Sequence, residues 1–348
     1  MAGRRIFRRS YESSRSNTHN HFETIAMPYV PKELALKLRA ADQGHVLMFD
    51  DADNLSPLEA REFAKELEAL DLEFLQTIFQ ASTQGTIAET RTIEPLRSYD
   101  RLEQCSIQDK QHWLNLGLES ISRGQVAALV LKKSLFQLFA ERIVALQVLA
   151  GDKFSTRLRQ EIQIPFYVMT SRMNHDTTIE FFKKHKFFGL KESQMFFFPQ
   201  GILPCFTMDG KLILENAHKL ATAPDGNGGI YKAMKSSGAL ARLQACGVKY
   251  LHVFSVDNAL CKVADPTFIG YCIDKQADCG NKVVWKAQPD ERVGVVAKRN
   301  DRFCVIEYSE IDREMSERVD PRTGKLAFWI GQYLQSLFHN VRSCRDNS

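Results

Sequence analysis

Six consecutive apolar residues, Val126-Ala127-Ala128-Leu129-Val130-Leu131, constrain this chain most. No alternate position is polar, so a strand here is buried on both faces, the setting of a parallel sheet covered by helices. An amphipathic stretch follows at once. Over 134–149, Leu135, Leu138, Phe139, Ile143 and Leu146 recur at helical spacing. The alternation then repeats. Ile164–Thr170 reads as a second buried strand, residues 176–186 as a helix and Met195–Phe198 as a third strand. Residues 230–246 read as a helix ended by Gly247 as a left-handed cap, followed by a strand over Val248–Val256 and a helix from Pro266 to Lys275. Two hairpins interrupt the pattern. Asp209-Gly210 joins Cys205–Met208 to Lys211–Leu214, and Asn300-Asp301 joins Val293–Ala297 to Phe303–Glu307.

Strands alternating with helices predict an α/β domain with a mixed, mostly parallel sheet. It is preceded by a helical N-terminal region over 28–124. There Ser56-Pro57-Leu58-Glu59 combines an N-cap, a first-turn proline and a capping-box glutamate. Residues 83–124 are polar and read as a connecting segment with short helices. The α/β domain spans 125–328. A tail over 329–348 places Trp329, Ile330, Tyr333, Leu334, Leu337 and Phe338 on one helical stripe without a partner.

Composition enters through charge and cysteine. The formal net charge is +4. Residues 1–26 carry +3 of it, through Arg4, Arg5, Arg8, Arg9 and Arg15 against Glu12 and Glu23. The body is therefore close to neutral, with no footprint for nucleic acid. Residues 1–27 read as a disordered basic leader, with Met27 as an alternative start; a mitochondrial presequence is the competing reading. No apolar run approaches the roughly 18 residues that span a bilayer. Eight cysteines without a Cys-x-x-Cys pair suggest reduced thiols and a cytoplasmic protein.

In open α/β sheets ligands bind beyond the carboxyl ends of the strands. Three loops in such places stand out. Met169-Thr170-Ser171 reads as a helix-capping turn. Pro224-Asp225-Gly226-Asn227-Gly228-Gly229 reads as a plain turn or as a place where the backbone approaches an anionic ligand. Ser255-Val256-Asp257-Asn258 reads as a turn capped by Asp257 or as a carboxylate that holds Mg²⁺ against phosphates. Gln200 could pair with a base edge, and Glu307 could accept from sugar hydroxyls.

These segments carry a resemblance. Pro165–Ser171 (PFYVMTS), Phe197–Gly201 (FFPQG), Ala223–Tyr231 (APDGNGGIY), His252–Asn258 (HVFSVDN), Val263–Gly270 (VADPTFIG) and Val305–Ile311 (VIEYSEI) occur in order. They resemble eukaryotic UDP-N-acetylhexosamine (UDP-N-acetylglucosamine) pyrophosphorylases from about Pro31 to about Ala327. The resemblance implies a Rossmann-like nucleotidyltransferase fold. It implies conversion of UTP and N-acetylglucosamine 1-phosphate to UDP-N-acetylglucosamine and diphosphate, with Mg²⁺ or Mn²⁺. It implies that Gln200 and the Gly226 backbone read uracil, that Asn227 and Asp257 serve the ribose and metal–phosphate region, and that Gly294 and Glu307 contact the N-acetylated sugar. Asp257 is the implied catalytic and metal-holding residue. Neither nucleic acid nor membrane is an implied partner, and a homo-oligomer is compatible with the reading.

The chain departs from that family at two places. The family's glycine-rich phosphate loop belongs after Leu131, yet Lys132-Lys133-Ser134 follows directly, as an internal deletion at 131/132 would leave it. Residues 149–158 echo the loop's ends but keep one glycine, Gly151. At the other end, a one-base frame shift near Phe328 relates Gly331–Phe338 to the family's Gly-Asn-Ile-Cys-Asn-His-Tyr-Phe. These departures predict impaired activity. The alternative is a non-catalytic variant that binds uridine nucleotides or dimerises.

Overall fold

The computed structural model describes residues 30–47, 56–83, 93–96, 99–131, 135–154, 161–300 and 302–339. The predicted leader over 1–27, Lys132-Lys133-Ser134 and residues 155–158 lie outside the described residues. Three helices come first: α1 (Lys32–Ala40), α2 (Pro57–Glu68) and α3 (Leu72–Thr83). Strand and helix then alternate through β1 (Ile93–Pro95), α4 (Ile107–Ser122), β2 (Val126–Leu131), α5 (Phe136–Phe154), β3 (Phe166–Thr170), α6 (His175–Lys184) and β4 (Met195–Pro199). Four short strands follow: β5 (Ile202–Pro204), β6 (Leu214–Asn216), β7 (Lys219–Leu220) and β8 (Thr222–Pro224). Next come α7 (Ile230–Ser236), α8 (Ala239–Ala245), β9 (Tyr250–Ser255) and α9 (Pro266–Asp274). The last are β10 (Cys279–Trp285), β11 (Gly294–Arg299), β12 (Arg302–Ile306), α10 (Arg313–Glu317) and β13 (Ile330–His339).

The chain divides into two compact units, Met1–Gln80 with Phe206–Ala221, and Ala81–Cys205 with Thr222–Ser348. In the smaller unit the capping box forms as predicted. Glu59 N–H donates to Ser56 Oγ at 3.3 Å, and Ser56 N–H donates to Glu59 Oε2 at 3.0 Å. Phe63 and Leu67 of α2 then pack with Leu38, Val46, Leu212 and Leu220. The hairpin predicted around Asp209-Gly210 narrows to one bridge, Phe206 to Leu212. Its turn is held instead by Gln43, whose Nε2 donates to Gly210 O and whose Oε1 accepts from Leu212 N–H, each at 2.8 Å.

The larger unit holds the mixed sheet. β9, β2, β3 and β4 are successive parallel neighbours. Antiparallel pairing adds β13 beside β9, then β11 and β1, with β10 on β13 and β12 on β11. All six residues of β2 are buried. Val126, Ala128 and Val130 share a core with Phe139, Ile143 and Phe254, while Ala127, Leu129 and Leu131 share another with Met234 and Leu243. The apolar run thus serves two layers of helices, each large side chain contributing roughly 2 kcal/mol on leaving water.

Several expectations change. The helix expected over 134–149 runs on to Phe154, so residues 149–154 spend their amides inside α5 and form no phosphate-cradling turn. α5 has nineteen residues, enough for the crossover between parallel β2 and β3. The helix over 230–246 is two helices broken at Gly238, where φ is +78°. Gly247 is left-handed as predicted, at φ +73°. Within the polar connecting segment, α4 is a full sixteen-residue helix. It meets α9 at two glycines: a Cβ on Gly117 would lie 1.9 Å from Pro266 O, and one on Gly270 would lie 1.8 Å from Trp113 O.

The largest correction is the tail. Ile330–His339 is strand β13, not an unpartnered helix. It pairs with β9, β10 and β11. Apolar residues three and four apart fit a helix, but ladder hydrogen bonds to three strands outweigh that spacing. Leu337 is buried in the sheet's core, and Gly331 leaves room where a Cβ would sit 3.1 Å from Val293 Cγ1.

Candidate active site

The carboxyl ends of β4, β3, β2 and β9 lie on one edge of the sheet because the four strands are parallel. β3 ends at Thr170, whose hydroxyl donates to Phe198 O at 3.2 Å and lies 2.8 Å from His175 Nδ1. One hydroxyl proton serves one bond, so His175 Nδ1–H is the donor in the second. Ser171 N–H donates to Asn174 Oδ1 at 3.0 Å. Met169-Thr170-Ser171 is therefore a capping turn with its polar groups engaged.

Beyond β4, Gln200 N–H donates to Thr170 O at 2.7 Å, which carries the sheet pairing one residue past Pro199. The Gln200 side chain is buried, and its Nε2 donates to Gly226 O at 2.7 Å. Antiparallel β5 and β8 make this possible by pairing Ile202 with Pro224 and returning the chain to its start. Gly226 takes φ +77°, a conformation that favours glycine, and the chain then turns through Asn227–Gly229 into α7. The side chain of Asn227 lies outside what is described.

At the end of β9, Val256 N–H donates to Leu131 O at 3.0 Å, so Asp257 follows directly on the last sheet bond. Asp257 is exposed. Ser255 Oγ donates to Asp257 Oδ2 at a long 3.4 Å, which leaves most of the carboxylate's lone pairs available. Among the described residues no group of three or more His, Cys, Asp or Glu converges on a metal site. A single carboxylate suits Mg²⁺, which keeps waters and takes its other oxygens from a substrate's phosphates.

Gly294 opens β11, and Glu307 follows β12. Val295 pairs with Ile306, so Gly294 and Glu307 are the next positions outward. A Cβ on Gly294 would lie 3.0 Å from Val305 Cγ1 and 3.3 Å from Ile306 O, so the glycine lets β11 close on β12, with Glu307 Oε2 at 3.6 Å from the same point. β13 links this pair to Asp257. Residues 335–339 of β13 pair with β9 and residues 331–332 with β11, so only Tyr333 and Leu334 separate the two registers. A cavity of about 440 Å³, lined by Lys286, Arg292, Tyr308 and Asp312 among others, begins next to Glu307 in sequence; none of the six predicted residues lines it.

The structure therefore joins Gln200 to Gly226 and brings Gly294 beside Glu307. Asp257 stands between the two groups in strand order. Sequence reasoning passed over Asp225, whose carboxylate lies against Gly201 and Gly229.

Residues 122–327 match the family model described as UTP–glucose-1-phosphate uridylyltransferase. The chain belongs to this uridylyltransferase family. The UDP-N-acetylglucosamine diphosphorylase 2 of Arabidopsis thaliana is 37% identical over 337 residues, covering 88% of this chain and 67% of the relative. The UDP-N-acetylglucosamine pyrophosphorylase of Saccharomyces cerevisiae is 33% identical over 314 residues, covering 80% and 64%. The crystal structure of the UDP-N-acetylglucosamine pyrophosphorylase from Trypanosoma brucei superposes with a TM-score of 0.75 at 24% identity, covering 93% of this chain and 68% of that one, and so shares the fold. This uridylyltransferase-family chain thus spans about two thirds of the length of the curated relatives it matches. Among its described residues no helix is long and apolar enough to cross a membrane.

Proposed function

We propose that this chain binds UTP, N-acetylglucosamine 1-phosphate and UDP-N-acetylglucosamine along the carboxyl edge of its sheet, and interconverts them with diphosphate at a reduced rate. The observation that carries this reading is the part-buried Gln200–Gly226 hydrogen bond at a parallel-strand end, in line with Asp257 and the Gly294–Glu307 pair. Gln200 and the Gly226 backbone would read uracil. Gly294 would contact the N-acetylated sugar while Glu307 accepts from its hydroxyls. Asn227 serves the ribose region.

The chemistry needs no covalent bond to the protein. A phosphate oxygen of the sugar phosphate attacks the α-phosphorus of UTP in line, and diphosphate leaves. The residues' task is to hold the two substrates in that geometry. Asp257 would hold Mg²⁺ or Mn²⁺, which when bound offsets the charge that builds on the phosphate oxygens.

The reduced rate rests on the sequence, in which Lys132-Lys133-Ser134 stands after Leu131 where the family's glycine-rich phosphate loop belongs. Removing a single preorganised donor commonly lowers turnover by about 10²–10³. The same observation favours a second reading, a uridine-nucleotide-binding protein without turnover. Eight cysteines without a Cys-x-x-Cys pair would suit a cytoplasmic protein on either reading.

Calorimetric titration with UDP-N-acetylglucosamine and Mg²⁺, paired with a diphosphate-release assay, separates these. Binding with slow release supports the proposed function. Binding without release supports the second reading, and no binding removes both.

A further inference from the structure

We propose that Asp225 is the positioning residue of the uridine-reading turn. Its carboxylate sits in a slot left by two missing side chains and sets Gly226 against Gln200. The proposal rests on the uridine reading above and deepens it.

The glycines around the turn fall into two kinds. A Cβ on Gly226 or on Gly228 would meet nothing within 4 Å. A Cβ on Gly201 would lie 2.2 Å from Asp225 Oδ2 and 2.9 Å from its Cγ. One on Gly229 would lie 2.0 Å from Oδ1, 2.1 Å from Cγ and 2.2 Å from Oδ2. Thus Gly226 and Gly228 face open space, whereas Gly201 and Gly229 are glycines because one carboxylate occupies the place of their side chains.

That carboxylate is in contact with both loops that the Gln200–Gly226 bond joins. Gly201 follows Gln200 directly, and Asp225 N–H donates to Gly201 O at 3.1 Å. Gly229 N–H donates to Gly226 O at 3.3 Å, closing the turn on the other side. With the slot filled, neither loop can slide toward the other. With it empty, both glycine-rich segments gain room and Gly226 loses its fixed distance from Gln200.

Asp225 Oδ1 is buried without a hydrogen-bond partner. A buried polar atom left unpaired disfavours the folded state. A side chain whose unpaired oxygen weakens the fold but whose shape sets a binding turn has a positional role, not a stabilising one. The two roles give opposite outcomes on removal.

The test uses the full chain with Asp225→Ala and Asp225→Asn, titrated calorimetrically with UDP and with CDP, beside thermal melts. Asp225→Ala is expected to lower UDP affinity tenfold or more, to bring the UDP-to-CDP affinity ratio toward one, and to leave Tm at or above the starting value. Asp225→Asn keeps the shape and is expected to stay within about threefold of the parent. Gly229→Ala, which drives a Cβ into the carboxylate, is expected to reproduce the Asp225→Ala loss. If Asp225→Ala binds UDP like the parent, or loses affinity only in step with a fall in Tm, the assignment is overturned. A parent chain that binds no UDP overturns the uridine reading itself.

Discussion

The side-chain amide of Gln200 donates to the carbonyl oxygen of Gly226 across 2.7 Å, joining two loops twenty-six residues apart. The bond is part-buried, and loss of its donor leaves a carbonyl unpaired, at about 1–3 kcal/mol. Gln200→Ala should therefore weaken UDP binding by roughly tenfold or more, while Gln200→Glu, which turns a carboxylate oxygen toward that carbonyl, should weaken it further. Calorimetric titration with UDP measures both. Unchanged affinity in Gln200→Ala would remove this bond from the nucleotide site.

Glu307 and Gly294 make a separable claim, because Gly294 opens β11 and Glu307 follows β12, away from the β4 loop. Glu307→Gln should leave UDP affinity unchanged and reduce the advantage of UDP-N-acetylglucosamine over UDP by roughly tenfold, the size of one hydrogen bond to a charged group. Equal losses for both ligands would mean that Glu307 shapes the fold instead of reading the sugar.

Gly270 and Gly117 bring α4 and α9 into backbone contact. A methyl group on Gly270 would lie 1.8 Å from Trp113 O, which only a shift of one helix relieves. Overpacking of this kind commonly costs about 1–3 kcal/mol. Gly270→Ala should lower the unfolding free energy by that amount, read as a lower urea midpoint at unchanged slope, and Gly151→Ala, where a Cβ meets nothing within 4 Å, should not. Similar midpoints for the two variants would show that the helices part at little cost.

His252 predicts a pH dependence of stability. Its ring is fully buried, with Nδ1 accepting from Ala264 N–H at 3.1 Å. Burial, aided by the Lys282 charge and opposed by Asp265, lowers its pKa from 6.5 to about 3. Below pH 6.5 the unfolded chain takes up a proton that the folded chain refuses. The folded state therefore loses stability as pH falls from 6.5 toward 3, by up to about 1.4 kcal/mol per pH unit. Urea melts at pH 7 and pH 5 should show a larger loss for the parent than for His252→Asn, since both share every other titrating group. Parallel losses would assign the dependence elsewhere.

How much was legible beforehand follows from the range of the forces involved. β2, the capping box at Ser56, the left-handed Gly247 and the β11–β12 hairpin were readable because each is written in neighbouring residues. α4 was hidden by its polar faces and by Gly117, whose use appears only when α9 lies against it. β10 was hidden because its sequence, CGNKVVW, does not alternate polar with apolar residues and most of them are exposed. β13 was misread because its apolar spacing fits a helix when no partner strand is in view.

The sequence by itself determined the parallel half of the sheet, since an unbroken apolar run such as Val126–Leu131 leaves a strand no face to give to water. It also determined which loops hold glycine and carboxylate at strand ends. Only the tertiary structure decided that Gly201 and Gly229 share one carboxylate, that Gly117 and Gly270 let α4 and α9 touch, and that Ile330–His339 completes the sheet. Apart from Asp225 against Gly229, those are contacts between residues far apart in the chain, and their energies exist only once the intervening segments have folded and brought them together.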